Sequence, residues 1–332
     1  MAKAGKVRPA SRESRRRAAQ KASAPPRVSV VLPVYEEAAL LGDLLGRIET
    51  TLEREGVPFE IVAVDDGSKD ETAEVLRDLT SRHRRHLVIV RHLVNKGNGA
   101  ALRSGIRVAR GQIVVTMDAD GQHSPEDIPS LLRAMPPYDL VIGARTEKYA
   151  GSWYRGAANQ FYNAFSSWLS RTEIKDLTSG FRAMRRDVAL HFLPLFPQGF
   201  SAPTTTTLAF LKAGYNVSFV PIHVGKRSSG RSKIRLWEDG ARFILVILRM
   251  ILLYDPLRVF LPMGVLLTAL GFLSWLAGVL VAQRIVFPNS AIFLLSTAIL
   301  IWLLGFVADQ ISTLRISYYG DENIVVESEP EA

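Results

Sequence analysis

The 332-residue chain has no cysteine. This excludes a disulfide framework, a thiol nucleophile, and any zinc or iron-sulfur site held by cysteines. No internal repeat is visible. Neither the P-loop nor the dinucleotide-binding glycine pattern is present, because the spacing both require after Gly97 and Gly99 is missing. Kinase and dehydrogenase chemistry is therefore disfavoured. A secretory leader is not expected either. Its first apolar run, Val28 to Val34, is short and is followed at once by Tyr35-Glu36-Glu37, which predicts that the large domain stays in the cytoplasm.

The body carries little net charge. The formal +9 is concentrated in residues 1–27, where Lys3, Lys6, Arg8, Arg12, Arg15, Arg16, Arg17, Lys21 and Arg27 face Glu13 alone. This Ala-, Ser- and Pro-rich head predicts a disordered tail drawn to anionic surfaces, not specific binding of nucleic acid. From residue 28 to about 143, β-branched runs alternate with helical patterns, the signature of an α/β domain with a mostly parallel, Rossmann-like sheet. Strands are expected over 28–34, 60–64, 87–91, 113–117 and 140–143. Helices are expected near 37–54, 70–82, 98–109 and 125–134, with Asp70 and Ser124-Pro125 as start signals.

After Arg258, residues 259–283 and 285–308 contain no charged side chain and are separated by Arg284 and the Phe287-Pro288-Asn289-Ser290 break. A hydrocarbon core of about 30 Å takes about 20 helical residues, so each stretch is long enough to cross it. The expected organisation is a tail (1–27), a catalytic domain (28–233), an interfacial amphipathic helix (234–256), two spans within 257–310 (about 259–283 and 286–308), and a cytoplasmic tail (311–332). Lys and Arg are enriched between Lys226 and Arg258, whereas Arg284 stands alone in the turn between spans, so both termini and the domain are expected on the cytoplasmic side.

In a parallel α/β sheet, ligands bind beyond the carboxyl ends of the strands. The chemistry-bearing residues fall there: Asp65-Asp66-Gly67-Ser68, Asn95-Lys96-Gly97-Asn98-Gly99, Asp118-Ala119-Asp120-Gly121-Gln122-His123 and Gly143-Ala144-Arg145. Two carboxylates in an Asp-x-Asp turn offer hard oxygen ligands suited to Mg2+ or Mn2+, which can bridge a diphosphate. The glycine-rich 95–99 loop precedes a helix, so its amides and Lys96 are placed to meet phosphate.

Val31-Leu32-Pro33-Val34-Tyr35-Glu36-Glu37, Val64-Asp65-Asp66-Gly67-Ser68-Lys69-Asp70, Asn95-Lys96-Gly97-Asn98-Gly99-Ala100 and Asp118-Ala119-Asp120 occur in the order found in family 2 glycosyltransferases of GT-A fold. More narrowly, the chain resembles the polyprenyl-phosphate sugar transferases typified by dolichol-phosphate mannose synthase. That resemblance runs through Asp118 to Glu126, Gly143-Ala144-Arg145, Thr178-Ser179-Gly180-Phe181-Arg182 and the 227–233 loop. It implies inverting transfer of one hexose-type sugar from a UDP- or GDP-linked donor to a membrane polyprenyl phosphate.

Carried over by position, the resemblance puts the donor nucleotide near Pro33, Tyr35, Glu37, Asp65 and Asp66, with Lys96, Gly97 and Asp118-Ala119-Asp120 completing the donor site. Asp118, Asp120 and Gln122 would hold the metal. Arg145, Arg182, Arg227, Arg231 and Lys233 would meet acceptor phosphate and diphosphate. Asp120, Arg145, Asp176 and Arg182 are the expected catalytic group, Asp176 orienting sugar or acceptor, and His123 is a further substrate contact to weigh. A phosphate monoester is already nucleophilic at neutral pH, so no strong general base is required. Processive synthases share the early motifs, but the Gln-x-x-Arg-Trp motif they have in common is absent. A glycan or other lipid acceptor, and a non-catalytic membrane adaptor, are the alternatives. Homo-oligomerisation stays open.

Overall fold

The computed structural model describes residues 26–83, 86–145, 167, 173–196, 202–225 and 256–319. The chain divides into two compact units, one carrying a β-sheet and one containing a C-terminal helical hairpin.

The sheet unit begins with β1 (Val28–Val34), α1 (Ala38–Arg54), β2 (Phe59–Asp65), α2 (Thr72–Arg82), β3 (Leu87–Arg91), α3 (Asn98–Val108) and β4 (Ile113–Thr116). A 3₁₀ turn at Pro125–Asp127 leads into α4 (Ile128–Ala134) and β5 (Leu140–Arg145). There follow β6 (Arg182–Arg185), α5 (Arg186–Phe192), α6 (Ala202–Lys212) and β7 (Val217–Ile222). The seven strands lie in the order β3-β2-β1-β4-β6-β5-β7. Every neighbouring pair is parallel except those made by β6, which runs antiparallel to both β4 and β5.

Parallel strands covered on both faces should read as continuous apolar runs, and β1 and β2 do: all of β2 and all but one residue of β1 are buried. On α1, buried Leu41, Leu44, Leu45, Ile48 and Leu52 recur at three- and four-residue spacing, so a single stripe enters the core with Leu32, Ile61 and Ile128. Pro221, exposed, sits on β7 at the sheet edge, where a missing N–H costs no interior ladder bond.

The first five strands fall within two residues of their expected bounds. The Asp70 carboxylate accepts the Thr72 N–H at 3.1 Å, although the helix itself begins at Thr72. β6, β7, α5 and α6 had no sequence expectation. The segments 1–25 and 226–255, which include the basic tail, the Arg227 to Lys233 loop and most of the expected interfacial helix, lie outside the described residues.

The hairpin consists of α7 (Leu257–Ala282) and α8 (Asn289–Tyr319). At 1.5 Å per residue, these 26 and 31 residues are about 39 and 46 Å long, so α8 continues well past residue 308. Both helices are long and apolar enough to cross a membrane, and only 6% and 17% of their most apolar windows are buried, unlike helices of a soluble core. Gly264, Gly271 and Gly278 recur every seven residues along α7. They meet Trp302, Leu295 and Pro288, which recur every seven in reverse order along the second arm. Small residues at this seam let two antiparallel backbones approach where lipid supplies no hydrophobic drive. A Cβ at Gly264 would collide with the Trp302 indole.

Gly264→Leu should therefore lower hairpin stability by about 1–3 kcal/mol, as overpacking does. Leu266→Ile, at a position 58% exposed, should have little effect. Denaturant titration in detergent, followed by tryptophan fluorescence, compares the two; equal transitions would show that the seam does not hold the arms together.

Candidate active site

The carboxyl ends of β1 to β5 share one edge of the sheet. At the end of β1, Glu36 is a non-glycine residue with φ of 57°, a strained conformation that neighbours must hold. The loop after β2 holds it. Glu36 N–H donates to Ser68 Oγ at 3.0 Å, and Glu37 N–H donates to Thr72 Oγ1 at 3.2 Å. The adjacent Tyr35 phenol is pushed above its ordinary value, chiefly by its hydrogen bond to Glu36, and so stays protonated.

The two aspartates that end β2 differ in their partners. Asp65 is 1% exposed; its Oδ1 accepts the Ser68 N–H at 2.9 Å, while Oδ2 lies 3.2 Å from Arg91 Nε without a directed hydrogen bond. Asp66 turns towards the glycine-rich loop. Its Oδ1 accepts the Lys96 N–H at 3.0 Å, its Oδ2 accepts the Gly97 N–H at 2.7 Å, and His92 Nδ1 lies 2.6 Å from Oδ1. These two amides are thus engaged by protein. The loop also carries the exposed Lys96 side chain.

After β4 comes Asp118, whose side chain is 38% exposed. Asn98 Nδ2, on the first residue of α3, donates to Asp118 Oδ1 at 3.3 Å, and His123 Nε2 lies 3.8 Å from Oδ2. Asn98 belonged to a recognised motif, but its link to Asp118 depends on a residue 20 positions away and was not foreseen. Burial pulls the Asp118 carboxyl upward. The nearby His123, the Asn98 hydrogen bond and the Arg182 charge outweigh that pull and hold it below its usual range. Asp120 Oδ1 accepts the Gln122 N–H at 3.1 Å. Ala119 is buried, so it backs the turn from within.

The 176–182 turn closes the edge. A Cβ at Gly180 would stand 2.5 Å from Asp118 Oδ2, so only glycine lets this turn pass so near the carboxylate. Gly180 carbonyl accepts the Thr116 hydroxyl at 2.8 Å. Arg145 engages Asp176 with two nitrogens, Nε to Oδ2 at 2.7 Å and a terminal nitrogen to Oδ1 at 3.1 Å, and also reaches Thr178 Oγ1 at 2.6 Å. Asp176 further accepts the Thr178 and Ser179 N–H groups, each at 3.1 Å. Burial would raise Asp176, but Arg145 and these amides reverse the direction and hold it below its ordinary value. Arg182 is 2% exposed. It donates to the Ser179 carbonyl at 3.0 and 2.6 Å and to the Pro203 carbonyl at 2.8 Å. Burial brings it down to about 10, and the charges of Asp176 and Asp118 limit the fall, so it is cationic at neutral pH.

The structure brings Pro33, Tyr35, Glu37, Asp65, Asp66, Lys96, Gly97, Asp118, Asp120, Gln122, Arg145, Asp176 and Arg182 to this edge. Arg227, Arg231 and Lys233 lie outside the described residues. The described chain nonetheless leads towards them from the site: Val224 bridges His123 in antiparallel fashion, and Gly225 N–H donates to the Gln122 carbonyl at 2.9 Å.

Among the described residues, no three His, Asp or Glu converge as a complete metal cage. Asp118 and Asp120 instead supply two hard carboxylate donors, Asp118 being ionised and partly open. Such a set fits Mg2+ or Mn2+, which bind through one or two carboxylates and complete their shell with phosphate oxygens and water.

Arg145→Met should cost about 3 kcal/mol at pH 7, since it leaves the Asp176 charge with one cation fewer. The depressed Asp176 carboxyl contributes stability above its ordinary value of 3.8, and that contribution fades as pH falls below it. The penalty should accordingly shrink at pH 3. Denaturant titrations at both pH values check this, and an equal penalty at both would rule out the ion pair as its source.

A sequence model described as glycosyl transferase family 2 matches residues 29–192, and one described as the GtrB C-terminal hairpin matches residues 255–314. Undecaprenyl-phosphate 4-deoxy-4-formamido-L-arabinose transferase of Edwardsiella ictaluri is 31% identical over 255 residues, covering 74% of each chain. The protein of the same name from an Enterobacter species is 32% identical over 273 residues, covering 79% of this chain and 77% of its own. Glucosyl-3-phosphoglycerate synthase of Mycobacterium tuberculosis, in complex with Mn2+, UDP and phosphoglyceric acid, gives a TM-score of 0.52 at 22% identity, over 69% of this chain and 79% of that one. Its complex with Mg2+ and UDP gives 0.51 at 22% identity over 73% and 83%. With the strand order, the ordered motifs and the hairpin in agreement, the chain belongs to glycosyltransferase family 2, with a GT-A fold and a resemblance to the polyprenyl-phosphate sugar transferases.

Proposed function

We propose that the enzyme transfers one hexose-type sugar, with inversion, from a UDP- or GDP-linked donor to a membrane polyprenyl phosphate at the cytoplasmic face. The observation that carries the acceptor class is the likeness, over about three quarters of the chain, to transferases named for an undecaprenyl-phosphate acceptor. A hydroxyl acceptor needs a base tuned towards the working pH, whereas a phosphate monoester arrives already ionised. The hairpin that keeps this chain at a bilayer supports the same choice.

In this reading Tyr35, Glu37 and Asp65 receive the nucleotide against the fixed β1 turn, with Pro33 beneath. Asp66 shapes the loop from which Lys96 reaches the diphosphate. Asp118, Asp120 and Gln122 hold Mg2+ or Mn2+, which supplies charge neutralisation for the departing diphosphate. The Mn2+, Mg2+ and UDP in the structural neighbours support that assignment.

A phosphate oxygen of the lipid attacks the anomeric carbon from the face opposite the nucleotide. The bond to the diphosphate oxygen breaks, and the electron pair leaves with the nucleotide. Asp176 keeps Arg145 and the 178–180 turn in place for this displacement, and Arg182 sets the positive field beneath Asp118. Arg227, Arg231 and Lys233, which follow Gly225 in sequence, meet the acceptor phosphate and the diphosphate. Positioning and charge stabilisation are what such a transfer requires of the protein.

Purified enzyme with a short polyprenyl phosphate, UDP- and GDP-sugars and either metal should yield a lipid-linked sugar detectable by mass spectrometry. Asp120→Asn should lower turnover by at least about 100-fold, in line with the loss of a principal charge-stabilising group, while membrane insertion is retained. Near-normal turnover by that variant would remove Asp120 from the metal site.

A further inference from the structure

Behind Asp66 lies a buried histidine that the mechanism above does not use. His92, 7% exposed, follows β3. Its Nδ1 lies 2.6 Å from Asp66 Oδ1, and its Nε2 lies 2.8 Å from Ser104 Oγ on α3. The acid-imidazole-hydroxyl sequence resembles a nucleophilic triad, but the surroundings exclude that use. Ser104 sits inside α3, where backbone amides are committed to the helix and cannot form an oxyanion site. Asp66 is also already shared with the Lys96 and Gly97 amides.

We infer that His92 is a positioning residue for the donor site, acting through Asp66 on the 96–98 loop and through Asn98 on Asp118. This rests on the donor-site reading given above. The connections are continuous. With the Nδ1 proton given to Asp66, Nε2 accepts from the Ser104 hydroxyl, which ties the imidazole to the body of α3. Asp66, held from behind, fixes the Lys96 and Gly97 amides at 3.0 and 2.7 Å. Gly97 caps α3 with φ of 92°, and the next residue, Asn98, reaches Asp118 at 3.3 Å. An imidazole is needed because it bridges two acceptor-donor partners 12 and 26 residues away along a single rigid ring. Without the ring, Asp66 remains buried with one donor fewer, and the loop loses the constraint that aims Lys96 and Asn98.

The two amide isosteres of histidine separate the roles of its nitrogens. In His92→Asn the amide nitrogen takes the place of Nδ1 and can still donate to Asp66. In His92→Gln the amide lies nearer Nε2, so the link to Ser104 is kept and the link to Asp66 is lost. Full-length enzyme in detergent should show the Gln variant with kcat/KM for the donor about 10-fold lower, the cost typical of outer groups that orient ligands. The loss should lie mainly in donor KM, with acceptor KM and thermal midpoint little changed, and the Asn variant should recover most of it.

Hydrogen exchange gives a readout that needs no turnover: peptides covering 95–98 should exchange faster in the Gln variant than in the Asn variant or the parent. Equal exchange and equal donor KM in both variants would overturn the positioning role. So would losses in both that follow only the folded fraction. If the parent shows no turnover and binds neither UDP nor GDP with Mn2+, the donor-site reading fails, while the exchange comparison still decides whether His92 orders the loop.

Discussion

Arg182 is a cation almost sealed from water, and the site depends on how its charge is balanced. Burial weakens its hold on its proton, the charges of Asp176 and Asp118 limit that fall, and three hydrogen bonds to carbonyls satisfy its donors. Asp118 is held below its ordinary value by the neighbouring His123 and Asn98, with the Arg182 charge adding to them. A guanidinium so deeply buried requires such partners. The antiparallel direction of β6 is what makes the arrangement reachable: a strand running against its neighbours starts at the edge where they end, so its first residue, Arg182, lies opposite Thr116 and just below the Asp-x-Asp turn.

From that constraint the positions of the surrounding turns follow. Arg182 holds the Ser179 carbonyl, and the 176–180 turn passes so near Asp118 that a Cβ at Gly180 would collide with its carboxylate. Asp176, in the same turn, gathers two backbone amides and two nitrogens of Arg145, which ties the end of β5 to the start of β6. Packing, charge balance and the chemistry of the edge are therefore one set of contacts.

The parallel strands were legible because burial on both faces forces continuous β-branched runs, as in Val28–Val34 and Phe59–Asp65. Arg182–Arg185 was not. Its sequence, Arg-Ala-Met-Arg, offers no apolar pattern, and its burial is made tolerable by carboxylates and carbonyls supplied from elsewhere in the chain. The same limit applied within the site. Asp118 and Asp120 could be placed by their strand and their spacing. The inward direction of the Lys96 and Gly97 amides could not, because it is decided by Asp66, 30 residues earlier. His92 gave no signal at all, since a single histidine after a strand looks the same whether it is packed, solvated or holding a carboxylate.

These contacts also divide the positive charges of the site into two kinds. Arg145 and Arg182 are largely spent on fixed partners, so the net field they offer an incoming anion is small. The proposed reaction brings a diphosphate and a lipid phosphate together beside Asp118 and Asp120, and like charges at contact distances repel by several kcal/mol when partly desolvated. Compensation has to come from a bound divalent cation and from cations other than these two arginines. Lys96 is exposed at the edge, and the basic sequence from Arg227 to Lys233 begins two residues after Gly225, which is itself bonded to the Gln122 carbonyl. Under the proposed function, the fixed arginines set the shape of the carboxylate turn, and the cations beyond Gly225 make the approach of two anions favourable.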